Sequence, residues 1–187
     1  MEASTIIFMI AFAYLVGSIP SAIIVTRLMG LPDPRTLGSG NPGATNVLRT
    51  GSRVAAALTL LGDLLKGLVP VLIARALQLD LSIICTVAFA AFFGHLYPIF
   101  LGFKGGKGVA TTLGVLLGVH YPLAVIWTTV WLLVAKLFKF SSLAALIATS
   151  LLLPTAWYLA LPQPMLWLVG TIALFVIWRH RSNIAAL

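Results

Sequence analysis

The sequence predicts an all-α polytopic membrane protein: seven transmembrane helices, the N-terminus periplasmic (outside) and the C-terminus cytoplasmic. Three observations predict it. Hydrophobic residues make up 60% of the 187 and charged residues 9%, where soluble domains carry about 25% charged residues. The apolar residues fall in runs, enough for about six or seven spans at roughly 20 residues each. The 12 Lys and Arg residues, against 4 Asp and Glu for a net charge of +8, lie almost entirely between those runs. This composition excludes a soluble enzyme, a disordered chain and a secreted disulfide scaffold, since the one cysteine, Cys85, sits inside an apolar run. Basic residues in such loops favour anionic head groups or phosphorylated metabolites as partners, with no nucleic acid. The chain, 1–187, reads as one integral membrane domain.

The first apolar run extends from about Ile6 to Met29, interrupted by Gly17-Ser18-Ile19-Pro20-Ser21. It lacks a basic leading segment and is too long for a signal-peptide core, so an uncleaved helix is expected. A polar stretch from Leu31 to Arg53 follows. The second span is expected from about Val54 to Leu77, with a turn at Gln78-Leu79-Asp80, and the third from about Leu81 to Phe100. The apolar region Val109 to Phe138 is broken at His120-Tyr121-Pro122, Lys136 to Ser142 is polar, and Leu143 to Leu161 is apolar up to Pro162-Gln163-Pro164. A last span, about Met165 to Trp178, leads into Arg179-His180-Arg181-Ser182-Asn183.

Charge parity decides whether Val109 to Phe138 is one helix or two. With two, Arg27, Arg35, Arg49, Arg53, Lys104, Lys107, Lys136, Lys139, Arg179 and Arg181 share one side. With one, Lys104/Lys107 and Lys136/Lys139 fall on opposite faces, against the positive-inside rule. Two helices are therefore expected. The fourth span, roughly Gly108 to Val119, is only about 18 Å long, which also allows a re-entrant half-helix.

Three polar segments on the cytoplasmic side carry the candidate chemistry. In the first loop, Gly38-Ser39-Gly40-Asn41-Pro42-Gly43-Ala44-Thr45-Asn46 precedes Arg49. Its glycines let backbone N–H groups approach an anion, its Ser, Thr and Asn side chains add neutral donors, and Arg49 can clamp a phosphate with two N–H groups. The same residues also make an ordinary flexible turn. In the second loop, Lys104-Gly105-Gly106-Lys107-Gly108 leads straight into a helix, whose unpaired N–H groups and positive dipole end favour an anion. One lysine alone would serve as a topology signal. The tail at Arg179–Asn183 is either a snorkelling anchor or a third donor set.

Asp63 and Lys66, spaced i, i+3 on the second span, are costly at that depth and can neutralise each other. His95 is either a satisfied interface histidine or a group that orients substrate. Tryptophans 127, 131, 157, 167 and 178 suit span packing and an interface belt. No Cys/His metal cluster is present, no cofactor is implied, and no histidine is followed five residues later by aspartate. An enzyme so poor in general bases needs an already activated substrate, or one that accepts the proton itself.

These motifs identify a family resemblance. Gly17-Ser18-Ile19-Pro20 with Gly-Ser-Gly-Asn-Pro-Gly-Ala-Thr-Asn at 38–46 resembles the first motif of the bacterial acyl-phosphate:glycerol-3-phosphate acyltransferases, the PlsY family. Gly94-His95-Leu96-Tyr97-Pro98 with Phe-Lys-Gly-Gly-Lys-Gly-Val-Ala-Thr at 103–111 resembles the second. Ser141-Ser142-Leu143 and Arg179 to Ile184 resemble the third motif and the tail. The family often has an acidic residue where Ser182 stands and a basic one near Ala186.

The resemblance implies a seven-helix inner-membrane enzyme with its site facing the cytoplasm. It would transfer an acyl group from acyl phosphate to the sn-1 hydroxyl of glycerol-3-phosphate, giving lysophosphatidate and inorganic phosphate. An acyl phosphate carries a good leaving group, so positioning and phosphate clamps could supply most of the acceleration. The expected catalytic residues are Lys104, Lys107, His180 and Asn183. The expected substrate-binding residues are Ser39, Gly40, Asn41, Thr45, Asn46, Arg49, His95, Gly105, Gly106, Gly108, Ser142 and Arg181. Arg49 would hold glycerol-3-phosphate. Lys104, Lys107 and the following helix start would hold acyl phosphate, while His180 and Asn183 close the cleft. The base is His180 or a substrate phosphate oxygen, the acyl tail enters from the bilayer, and the enzyme that makes acyl phosphate is a possible partner. The alternative from another class is an organophosphate transporter, which would place its cations near the bilayer midplane. A non-catalytic scaffold for lipid synthesis would not need such loops.

Overall fold

A computed structural model describes residues 2–185. Among them the secondary structure is entirely helical, as the apolar runs require where no water can satisfy a backbone. The first run forms α1 (Ala3–Gly17) and α2 (Ser21–Leu28), bent by 43° at the Ser18–Pro20 break. After a short 3-10 turn at Pro34–Thr36 and the single turn α3 (Ala44–Val47) comes α4 (Arg53–Ala76). The Ser52 hydroxyl caps α4 by accepting from Ala55 N–H at 3.1 Å. Next come α5 (Leu81–Leu96), α6 (Val109–Val119) and α7 (Tyr121–Phe138). His120 separates the last two as one extended residue, and its ring accepts from Leu123 N–H at 3.2 Å to start α7. The split at His120-Tyr121-Pro122 is thus the one that charge parity predicts. The chain ends in α8 (Ser141–Ser150), α9 (Leu152–Tyr158), α10 (Gln163–Arg179) and the single turn α11 (Arg181–Ile184).

Four stretches are long and apolar enough to cross a membrane: Arg53–Ala76, Leu81–Leu101, Tyr121–Phe138 and Ser141–Tyr158. Taken as one broken span, the bent α1–α2 pair makes a fifth. The other two apolar helices are shorter, α6 with 11 residues and α10 with 17. Length alone therefore counts fewer crossings than the seven predicted, because α6 and α10 fall short of the usual span.

Small residues set the bundle's tightest contacts. A Cβ on Gly17 would overlap the Ala91 carbonyl, one on Gly94 the Tyr14 carbonyl, and one on Gly114 the Leu64 carbonyl, so α1 meets α5 and α4 meets α6 backbone to backbone. Thr111 lies against Gly67 and Gly118 against Val71, so α6 runs in the same direction as α4 and covers only its second half. Arg75 closes that pair by donating to the Gly118 carbonyl at 2.8 Å. The start of α6 therefore meets α4 roughly 16 Å along from Arg53.

Candidate active site

Broken helices leave backbone carbonyls without partners, and long side chains from other helices supply the missing donors. Lys66 Nζ donates to the Ile19 carbonyl in the α1–α2 break at 2.9 Å. Tyr14 Oη donates to the Tyr97 carbonyl beyond α5 at 2.8 Å. Arg179, at the end of α10, donates through Nε to the Gly106 carbonyl at 3.1 Å and through Nη2 to the Gly105 carbonyl at 2.6 Å. The N–H groups of the same glycines donate the other way: Gly105 to the Leu96 carbonyl and Gly106 to the His95 carbonyl, each at 3.2 Å. Gly105 and Gly106 thus form a strap, tied on one edge to α5 and on the other to α10.

The N–H groups of Gly105 and Gly106 are thus engaged inside the protein, and Gly105 also lines the cleft beside the strap. The first α6 hydrogen bond at the helix start runs from Thr112 N–H to the Gly108 carbonyl at 2.7 Å. The N–H groups of the preceding turn have no partner within the helix. Gly108 itself has φ +83° and packs on Phe92, so only glycine fits there.

The strap borders a cleft of about 450 Å³, lined by Arg35, Lys104, Lys107, Arg179 and Arg181 together with Ser39, Gly40, Asn41 and Ser182. Among the described residues no acidic side chain lines it. Lys107 is half-buried, and its ammonium donates to the Asn183 side-chain oxygen, which joins the second loop to the tail. Burial first, then the nearby charges of Arg179 and Arg49, hold the Lys107 ammonium below its usual ionisation range. Arg35 points into the cleft while Asp33 binds it at 2.6 Å, and those hydrogen bonds hold the Asp33 carboxyl below the usual carboxylate range.

In the first loop, Ser39, Gly40 and Asn41 line the cleft. Gly38, with φ +50°, lets the Arg49 side chain lie flat against it. Asn46 departs from expectation. It is 2% exposed, donates to the Pro34 and Leu37 carbonyls at 2.5 and 3.0 Å, and accepts from Ser39 N–H at 3.2 Å. Its amide shapes the loop from inside. Thr45 is exposed and, like Ser142 at the start of α8, lines neither this cleft nor the smaller cavity below it.

His180 stands apart from the cleft. It is 2% exposed, turned inward, with Nδ1 at 2.8 Å from the Val176 carbonyl. A carbonyl only accepts, so Nδ1 carries the hydrogen, and burial holds the ring below its usual ionisation range. It does not line the cleft that it was expected to close. His95 likewise lies beneath the strap rather than in the cleft, beside Asp63 and Lys66, which pair at 2.7 Å as their spacing predicts. Arg181 reaches the cleft as expected. The position near Ala186 lies outside the described residues.

Sequence reading missed Arg179 and Arg35 as site residues. The signal for Arg35 is the Asp33-x-Arg35 spacing. Arg179 was marked only as part of the basic tail, because its partners are carbonyls 73 and 74 residues away. The cleft as built can hold a compact polyanion and neutralise charge that develops on it. It offers little for general acid–base work.

A family model described as glycerol-3-phosphate acyltransferase matches residues 7–187. Proteins named glycerol-3-phosphate acyltransferase resemble the chain closely. That of Thioalkalivibrio sulfidiphilus is 55% identical over 178 residues, 94% of this chain and 86% of the relative. That of Methylobacillus flagellatus is 56% identical over 182 residues, 97% of this chain and 92% of the relative. Two crystal structures of PlsY (YgiH), an integral membrane glycerol 3-phosphate acyltransferase, are also similar. Its glycerol 3-phosphate form gives a TM-score of 0.92 at 38% identity, and its lysophosphatidic acid form 0.90 at 37%. Each comparison covers 97% of this chain and 90% of the other.

Proposed function

Because the chain belongs to the glycerol-3-phosphate acyltransferase family, we propose that it acylates the sn-1 hydroxyl of glycerol-3-phosphate with acyl phosphate as donor, releasing lysophosphatidate and inorganic phosphate. One observation carries this reading: five cationic side chains and, among the described residues, no carboxylate line the cleft, with half-buried Lys107 bound to Asn183. A thioester leaves as a thiolate with a single charge and brings no phosphate oxygen of its own to accept the hydroxyl proton. A phosphate leaving group needs mainly charge neutralisation, which is what these residues supply.

In this reading Lys104, Lys107 and the first turn of α6 hold the acyl phosphate. Ser39, Gly40, Asn41 and Arg49 receive glycerol-3-phosphate, with Arg35 and Arg181 beside them. The glycerol hydroxyl attacks the acyl carbon, a C–O bond forms, and the bond to the phosphate oxygen breaks as phosphate leaves. Since His180 is buried and outside the cleft, a phosphate oxygen of the substrates is the better proton acceptor. The acyl tail extends between helices into the bilayer. The bundle crosses the inner membrane seven times, N-terminus outside, with the cleft open to the cytoplasm and to the enzyme that supplies acyl phosphate. Organophosphate transport has no observation in its favour, since the cleft cations belong to loops and helix ends.

Purified protein in detergent, given glycerol-3-phosphate and either acyl phosphate or an acyl thioester, tests this reading. Phosphate release matched one to one by lysophosphatidate, with acyl phosphate alone, is expected. Turnover of the thioester alone would reject the donor.

A further inference from the structure

The cations of the cleft are not all held alike. Lys107 is tied to Asn183, Arg179 to the strap carbonyls, and Arg181 stacks on Trp178 with 4.8 Å to the ring centre. Among the described cleft cations, Arg35 alone has a carboxylate partner. Asp33 Oδ1 accepts from Arg35 Nε at 3.0 Å, and Oδ2 accepts from Nε at 3.1 Å and from Nη2 at 2.6 Å. Oδ1 also accepts the Arg35 backbone N–H at 2.9 Å. One carboxylate therefore fixes both the side chain and the turn that bears it.

The backbone beneath is pinned as firmly. Asp33 caps the 3-10 turn Pro34–Thr36, whose first residue is a buried proline. The Thr36 hydroxyl donates to the Asp33 carbonyl at 2.8 Å, and the buried Asn46 amide grips the Pro34 and Leu37 carbonyls from inside. Yet the Arg35 and Asp33 side chains are 48% and 34% exposed. An exposed ion pair adds little to stability, because water competes for it and the side chains lose their freedom. Such a clamp is of use where the guanidinium must already be in place when a ligand arrives.

A guanidinium has five N–H groups in one plane. Asp33 takes the edge formed by Nε and one N–H of Nη2. The outer edge, made by Nη1 and the second N–H of Nη2, has no partner among the described residues. Its spacing is the one that two phosphate oxygens accept. We propose that this outer edge of Arg35 binds a phosphate in the cleft, and that Asp33 is the positioning residue that aims it. This role deepens the acyl-transfer reading above and rests on it. Two reactant pairs carry such a phosphate: glycerol-3-phosphate passes its own to lysophosphatidate, and acyl phosphate releases its own as inorganic phosphate. Both present the same oxygens, and the test separates them.

Steady-state kinetics of the full chain in lipid nanodiscs, with each substrate varied and each product added as inhibitor, provide the test. Arg35→Gln is expected to raise the Michaelis constant of one substrate about tenfold, together with the inhibition constant of the product that inherits its phosphate. The other pair is expected to move less than about twofold. Arg35→Lys keeps the charge but not the two-point edge and should fall between. Asp33→Asn keeps an oxygen for the Arg35 backbone N–H but loses the paired carboxylate, and is expected to move the same pair about threefold. Combined with Arg35→Gln it should add nothing further. Equal shifts in both pairs, no shift in either, or losses that multiply in the double variant overturn the inference. Tighter binding in Asp33→Asn also overturns it, since the carboxylate would then compete with the phosphate rather than aim the arginine.

Calorimetric titration of the same proteins with inorganic phosphate and with glycerol-3-phosphate gives a readout independent of turnover. Arg35→Gln and Asp33→Asn should weaken one of the two by the same factors. Both side chains are partly exposed, so the variants are expected to keep the wild-type thermal unfolding. Unchanged affinity for both, or no binding of either by wild-type protein, overturns the inference. Wild-type protein that binds phosphate but forms no lysophosphatidate from acyl phosphate rejects the proposed donor instead, and titration still decides the role of Arg35.

Discussion

Lys107 carries a positive charge in a place that resists it, since burial and two neighbouring arginines all favour its loss. In the proposed reading, the anion that offsets this charge arrives with the substrate. Replacing it with alanine is expected to lower kcat about 10²- to 10³-fold, while size-exclusion profile and thermal unfolding stay near wild type. Near-native turnover would remove Lys107 from the mechanism. The sign of its pH dependence follows from the same observation. A lowered ionisation range means that the charged form is lost earlier as pH rises, so the alkaline limb of kcat/KM is expected below the roughly 10.4 of free lysine. Lys107→Arg should move whatever activity remains to a limb at higher pH. Lys104, Lys107 and Arg181 were legible because charge beside glycine, or at a chain end, has few structural uses. The internal hydrogen bonds of Asn46, Gly105 and Gly106 were not legible, for a physical reason. Their partners are backbone groups that only the folded chain brings near, and a donor engaged internally looks in sequence like a free one.

At the scale of elements, the apolar runs and the breaks between them were readable because each has a local cause. Pro122 and the extended His120 divide α6 from α7, and Gly17 to Pro20 divides α1 from α2. Contacts between elements were not readable, since nothing in the run around Gly114 marks it as the point where α6 meets the Leu64 carbonyl. The two helices cannot move apart there without exposing backbone within the bundle. Gly114→Ala is therefore expected to destabilise the protein by about 1–3 kcal/mol, the usual effect of overpacking. Gly170 on α10 serves as control, because its nearest neighbour is a Leu153 methyl at an ordinary 3.7 Å. Gly170→Ala should stay within about 0.5 kcal/mol of wild type. Thermal unfolding in detergent compares the two, and equal stability of both variants would show that the α4–α6 contact yields more easily than its geometry requires.

For the whole molecule the open question is how a helix of 11 residues takes part in a bilayer bundle. At 1.5 Å per residue it covers about 16 Å, roughly half of the hydrocarbon core. Irregular backbone at such depth is tolerated where protein surrounds it, and α6 meets that condition, with Thr111, Thr112, Gly114, Val115, Leu116, Gly118 and Val119 all buried. The strap ahead of it has its carbonyls and N–H groups satisfied by Arg179, His95 and Leu96. In the proposed seven-span topology a short crossing at α6 is therefore tolerated. Because α6 runs in the same direction as α4, its start and the start of α4 face the same side, and α7 must return the chain to that side if the bundle crosses seven times. Single cysteines on a Cys85→Ala background test this with an impermeant thiol reagent on sealed vesicles of both orientations. Ser39→Cys, Lys136→Cys and Ser182→Cys are expected to label from the cytoplasmic face, and Gln78→Cys and Tyr158→Cys from the other. The decisive position is Lys136. Labelling together with Gln78 would mean that α6 and α7 make one passage between them, so that the lysines of the second loop and those after α7 lie on opposite sides of the membrane.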